Sequence, residues 1–342
     1  MNFSKTNHEH FNTKKNVSKN LKRIFGALVL SAVLFTSCET SDDADLEVLQ
    51  QVATAQEFSN IKAQALENQT QTFQFDGNDG NITLTSDHGV QININTTCLT
   101  RNGNVVTGTI DLEYVELFEK GNMLTTNKPT MGVLPNGDKA LLLSGGEFFL
   151  EASQNGTALE TSCDIQLVVP TSLTGGADAA MTLWEGTIDA DDNLDWDRVG
   201  DAAGQGGVFV EGGEYYAFLG QFGWSNIDRF YNDPRPKTLI KAQAPVGYNF
   251  TNSAIYLSYD GEDSGLASLD TYDGTLNLFS EHYGQIPIGL ECHVIFATED
   301  NGLWRYTVKA VTIIADDIIT FDFSETALAT EAEFINIINA LP

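Results

Sequence analysis

Val90-Gln91-Ile92-Asn93-Ile94-Asn95 alternates apolar and polar residues without a break. A strand turns successive side chains to opposite faces, so this stretch puts Val90, Ile92 and Ile94 on a core and the amides in solvent. The same period of two runs through Thr72–Phe75 and Ile82–Leu84. It returns over Val106–Leu117, with Ile110, Leu112, Tyr114 and Glu116 on one face and Asp111, Glu113 and Val115 on the other. Ile165, Leu167 and Val169 alternate again and stop at Pro170. Leu141–Ala152, LLLSGGEFFLEA, reads as a strand interrupted at Gly145-Gly146, where paired glycines mark a bulge or a close backbone approach. Asp79-Gly80, Asn102-Gly103, Asn136-Gly137, Asn155-Gly156, Asp273-Gly274 and Asn301-Gly302 punctuate the runs. Short alternating runs between such turn dipeptides are the pattern of an all-β sandwich.

Outside the strands the period changes twice. Leu46, Leu49, Val52, Phe58, Ile61 and Leu66 keep a rough helical spacing, which predicts a short helix or a stalk. At the other end, Thr330 and Glu333 form a capping box ahead of Phe334, Ile335, Ile337, Ile338 and Leu341, which predicts a short C-terminal helix. Asp233-Pro234-Arg235-Pro236 is the sharpest break in the chain, because proline suits neither a helix interior nor a central strand. The expected organisation is a leader over 1–37, an acidic tether and stalk over 38–69, and two β-sandwich-like domains in tandem over 70–232 and 233–342.

The leader carries its own signal. Its first 23 residues hold six basic side chains and one acid, and Ile24–Phe35 is a run of 12 apolar or small residues. Crossing a bilayer as a helix takes about 20 apolar residues, whereas an export signal needs about 7–15. Leu34-Phe35-Thr36-Ser37-Cys38 resembles the lipobox of bacterial lipoproteins in the looser form used by the Bacteroidota, with Phe35 where Leu is usual. That resemblance implies cleavage before Cys38 and a diacylglyceryl group on its thiol, and two acyl chains anchor stably where one holds only marginally. The next residues, Glu39-Thr40-Ser41-Asp42-Asp43-Ala44-Asp45, resemble the export signal of surface-displayed Bacteroidota lipoproteins; a plain solvated tether at the periplasmic face is the other reading.

Charge narrows the partners. The whole chain carries a net charge of −29, and the leader's excess of five positive charges leaves the remaining 305 residues at −34. Phosphate backbones are bound by Lys and Arg, so no nucleic-acid partner is expected.

Three cysteines lie beyond the anchor. Cys98 keeps the parity of Val90, Ile92 and Ile94, and Cys163 that of Ile165 and Leu167, so either a Cys98–Cys163 bridge or two buried thiols fits, and export permits the bridge. Cys292 shares the face of Leu290, Val294 and Phe296 and reads as a buried small residue. Asp189–Asp197 begins like a calcium loop, but Leu194 and Gly200 stand where an EF-hand needs Gly and Glu; a solvated turn before Trp196 is the plainer reading. No metal or cofactor is expected. The chain contains no HExxH, GxSxG, P-loop or CxxC motif, and His282 and His293 read as turn or surface residues. Trp184, Trp196, Trp224 and Trp304 are either sugar-stacking platforms or, more commonly, core. Phe222 and Trp224 share parity as neighbours on one buried face, and Asp228 and Arg229 stand where they could pair at the exit from the first domain.

Gly108-Thr109-Ile110, Met123-Leu124-Thr125-Thr126, Ser144-Gly145-Gly146-Glu147-Phe148-Phe149, Val169-Pro170, Met181-Thr182-Leu183-Trp184 and Gly223-Trp224-Ser225-Asn226-Ile227-Asp228-Arg229-Phe230 occur in an order that resembles an uncharacterised Bacteroidota surface lipoprotein family. The resemblance covers about residues 70–232, and 233–342 more loosely. It extends distantly to the β-sandwich of ankyrins and netrin receptors, some relatives of which cut themselves at a His-Phe-Ser site that this chain lacks. The resemblance implies a lipid-anchored outer-membrane protein, displayed outward, with a non-enzymatic structural or binding role. Its expected partners are the outer membrane, through Cys38, and an extracellular glycan or protein. A glycan-capture lipoprotein of a polysaccharide-uptake system is the alternative, and a secreted-type hydrolase the third reading.

Overall fold

The computed structural model describes residues 52–189, 193–200, 207–281 and 284–342. The leader, Cys38 and the acidic tether lie outside these residues, as do the first part of the expected stalk and His282. The chain is all-β, with three α-helices among the described residues: α1 (Ala55–Gln69), α2 (Lys120–Thr125) and α3 (Glu331–Asn339). Both longer helices start on a capping box, Thr54 with Glu57 and Thr330 with Glu333. In each, the threonine hydroxyl accepts from the third backbone N–H and the glutamate returns the bond.

Two sheets enclose the first core. In one, Gly207–Glu211, Glu214–Leu219, Ile165–Pro170, Gln91–Asn95 and Asn81–Thr85 lie side by side in that order. Facing it are Gln71–Asp76, Thr109–Leu117, Lys139–Gln154 and Gly223–Phe230. Val90, Ile92, Ile94, Ile110, Leu112, Tyr114, Ile165, Leu167 and Val169 all fall in this core, on the parity the sequence predicts.

The second of these sheets then curls onto itself. Beyond Gly223–Phe230 come Thr182–Ile188, Leu194–Arg198 and Met131–Val133, and Met131–Val133 bonds back to the start of Lys139–Gln154. The result is a closed ring of five strands. Inside it, Trp184, Trp196 and Trp224 are packed together, with Trp196 edge-on to Trp224 at 6.5 Å between ring centres. Gly186 is required there, since a Cβ would stand 2.7–2.9 Å from Trp224, Trp196 and Leu194.

After the proline break a further sheet forms from Ala267–Ser268, Ser253–Tyr259, Glu291–Asp300, Leu303–Thr312 and Ala327–Ala329. One face packs on Ile240, Ala242 and Phe279 of a smaller four-stranded sheet and its surroundings. Its other face, through Tyr256, Ile295 and Trp304, joins the tryptophans of the ring, Phe58 of α1, Met123 and Leu124 of α2, and Phe334 and Ile338 of α3. Apolar clusters therefore run across the proline break, and the described residues pack as one compact unit. The break itself is fixed by Arg235, which chelates the Asp233 carboxylate and donates to the Gly289 carbonyl at 2.6 Å.

The interruption in LLLSGGEFFLEA is a bulge and a close approach at once. Register against Gly223–Phe230 slips between the pairs Asn226/Glu147 and Asp228/Ser144. Gly146 has φ +130°, and a Cβ on it would meet the rings of Phe148 and Phe118 at 2.6 and 2.7 Å.

Candidate functional site

The bulge lies beside an open cleft of about 670 Å³. Leu143 and Arg229 are cross-strand partners and both line it; Ser144 and Asp228, the next pair along, are buried on the opposite face. The alternation of two strands thus gives the cleft a cation and the interior an acid.

Arg229 is held in place. Its Nε donates to Asp178 Oδ2 at 2.5 Å. Asp178 is positioned in turn: its Oδ1 accepts from the Ala180 N–H at 2.8 Å, and its own N–H donates to the Tyr215 hydroxyl at 2.9 Å. Tyr215 Oη then donates to the Gly176 carbonyl. The Ala180 N–H, joined by Arg229, holds the Asp178 carboxyl below its ordinary range. Gly175 and Gly176, at φ +86° and +119°, form the adjoining wall. Glu119, Glu262 and Asp263 complete a rim with more carboxylates than cations. Burial pushes Glu262 up, Arg229 pulls it back, and Asp263 adds to the rise. A cleft so lined can hydrogen-bond a neutral polar or cationic group and repels a polyanion.

Behind it sits a sealed polar group. Glu147, Asn226 and Asp228 have no exposed surface. Asn226 Nδ2 donates to Asp228 Oδ2 at 2.6 Å, and Ser144 Oγ donates to Asn226 Oδ1 at 2.8 Å. Both Glu147 oxygens and Asp228 Oδ1 have no hydrogen-bond partner. Burial, then the charge of Asp228, raises the Glu147 carboxyl well above its ordinary range, against a pull from Lys128. Burial raises Asp228 too, partly offset by Ser144. Burial therefore favours the protonated form of both acids.

The residues singled out by sequence fall elsewhere. Cys98 and Cys163 are joined in a disulfide with 5.7 Å between Cα atoms. Cys163 does not point to the core: it is exposed, in a bend before the strand begins at Ile165, so the strand's parity does not reach it. Cys292 is a buried free thiol, pushed up to about 12 by burial and by the Asp260 charge. Asp189 closes the hairpin before Leu194, accepting from the Asn193 N–H at 3.0 Å. Trp196 is fully buried, and Asp191 and Asp192 lie outside the described residues. Among the described residues no cluster of three or more metal-ligating side chains is arranged to hold an ion.

Three expectations are overturned. Phe222 and Trp224 pack into different clusters, because Gly223, at φ +122°, breaks the alternation between them. Asp228 and Arg229 do not pair; they point to opposite faces of one strand. His293 is not in a turn: it lies, half-buried, within Glu291–Asp300, with Nδ1 2.8 Å from Asp260 Oδ1. Its cross-strand neighbour Ser258 is fully buried, so no substrate reaches that hydroxyl. His88 is likewise tied, through Nδ1, to Glu116 at 2.8 Å. Glu116 also accepts from Gln71, Ser86, Tyr114 and the His88 N–H, which makes it a clamp for the loop before Val90. All four tryptophans are buried and offer no face to a sugar.

Sequence reading missed the Arg229–Asp178 pair and the Glu147–Asp228 pair. Glu147 left a signal, an acid embedded in an apolar strand, and Asp228 shares the parity of Trp224 and Asn226. Asp178 left none, being 51 residues from its partner in a glycine-rich loop. No protein-family model matches the chain, and no curated protein matches it.

Proposed function

We propose that the protein is a non-enzymatic binding module, held at the outer membrane by a lipid on Cys38 and displayed outward on its acidic tether. The cleft around Arg229 is its ligand site. The observation that carries this reading is the contrast between that cleft and the other polar groups. His88, His293 and Glu116 are engaged in holding loops and strands, and Glu147 and Asp228 are sealed away. The cleft combines volume, a preset cation and exposed acceptors. The carboxylate excess favours a neutral or cationic polar ligand, such as a hydroxyl-rich glycan or a protein loop. Glycan capture by tryptophan stacking gains no support, since the tryptophans are core.

Two experiments test the proposal. Protease added to intact cells should remove the domain from the parent and spare it when Asp42, Asp43 and Asp45 are replaced by alanine. Equal sensitivity in both strains would mean that the tether does not direct display. Arg229→Ala protein should melt like the parent yet lose retention on immobilised extracellular polysaccharide; binding that persists would place the ligand outside the cleft.

A further inference from the structure

Lys139 opens the long strand Lys139–Gln154, and its side chain is 9% exposed. Its Nζ lies 2.5 Å from Asp195 Oδ1 and 2.9 Å from Asp270 Oδ2. Asp270 is buried at 4% exposure, while Asp195, on Leu194–Arg198 just beyond Met131–Val133 in the ring, is 26% exposed. One amine is thus gripped between two carboxyls, one sealed and one open to water. Lys139 and Asp270 are 131 residues apart and stand on either side of the proline break.

We propose that Lys139 and Asp270 condense into an intramolecular isopeptide bond, with Asp195 as the proton shuttle. Asp195 takes a proton from the Lys139 ammonium, and the freed Nζ lone pair attacks Asp270 Cγ. The new N–C bond forms, the bond from Cγ to one carboxyl oxygen breaks, and that oxygen leaves as water with two of the three ammonium protons. One of these passes through Asp195, which ends as the carboxylate it began as. No oxidant or co-reactant is needed.

Three physical arguments support the step. The Lys139 amine is held against the Asp270 carboxyl at 2.9 Å, and reactants already in contact need little further ordering. Burying an ion pair carries a desolvation cost that a neutral amide avoids, so the interior favours the condensed form. Burial lowers the basicity of Lys139, but its bonds to Asp195 and Asp270 and their charges outweigh this and hold the ammonium above its ordinary range. The nitrogen therefore needs an acceptor in contact before it can attack. Burial, opposed by Lys139, raises the Asp195 carboxyl, which suits it to take that proton and return it. Its partial exposure gives the released water a way out.

The test is a peptide map of the full-length protein, purified from membranes, reduced and digested with trypsin. The expected product is a branched peptide joining the Lys139 and Asp270 segments, lighter than their sum by one water, with no cleavage after Lys139. Asp270→Ala should restore linear peptides, and Asp195→Asn, nearly the same shape, should leave a large linear fraction in protein that still melts cooperatively. Recovery of linear, Lys139-cleaved peptides from the unaltered protein would overturn the proposal and leave a buried ion pair. Complete linkage in Asp195→Asn would overturn the shuttle.

Discussion

Glu147 and Asp228 are carboxylic acids in an apolar interior, and their protonation sets a pH dependence. A carboxyl whose pKa rises on folding binds more protons in the native than in the unfolded state above its unfolded pKa of about 4. Its stabilisation is complete below that value and is lost as pH climbs toward the raised folded pKa. Both groups shift upward, so urea unfolding should show stability falling from mildly acidic toward alkaline pH. Glu147→Gln keeps the shape and cannot ionise, so it should flatten that fall and raise stability at alkaline pH by about 1–3 kcal/mol. An unchanged pH profile would mean that other groups set it. Trp224, 9% exposed, packs on Phe149 and Trp196 and lies under the Lys128 ammonium. Trp224→Ala should therefore cost about 3–5 kcal/mol. A variant that melts normally would remove Trp224 from the core.

At the scale of elements, legibility depends on periodicity. Strands with an uninterrupted period of two, such as Gln91–Asn95 and Ile165–Pro170, carry their own burial pattern, and α3 announces itself through Thr330 and Glu333. The capping box of α1 was equally visible in Thr54 and Glu57, although periodicity alone placed that helix only loosely. The hidden elements have physical causes. The helix α2 spans six residues, too few for a period, and is held by tertiary contacts such as the Gly121 N–H on Asn339 Oδ1. A single left-handed glycine, Gly223, redirects the strand after it and defeats parity counting across it. The Cys98–Cys163 bridge pins the 3-10 turn after Gln91–Asn95 to the bend before Ile165. Closing a loop with a separation of 65 residues should contribute about 4 kcal/mol in the chain-entropy model. Replacing both cysteines by serine should lower the denaturation midpoint accordingly; no change would mean that the unfolded chain is already constrained there.

At the scale of the molecule, the sequence separates two sandwich-like regions at the prolines, and the structure joins their cores through α1, α2, α3 and the five-stranded ring. Sequence patterning reports which face of an element is apolar, not which distant element covers it. The candidate site was illegible for the same reason. Its cation, its acids and its glycine wall come from separate segments, 175–178, 229 and 262–263, that only the closed fold assembles. The proposed function, a binding module fastened to a membrane by a single residue, depends on Cys38 above all. The decisive measurement is detergent phase partitioning of the parent and of Cys38→Ala, with the N-terminus of each determined. The parent should enter the detergent phase with a diacylated Cys38 as its first residue. The variant should either appear in the aqueous phase or be stalled with its leader attached. A Cys38→Ala protein cleaved at the same position and still retained in the membrane would contradict the lipid anchor.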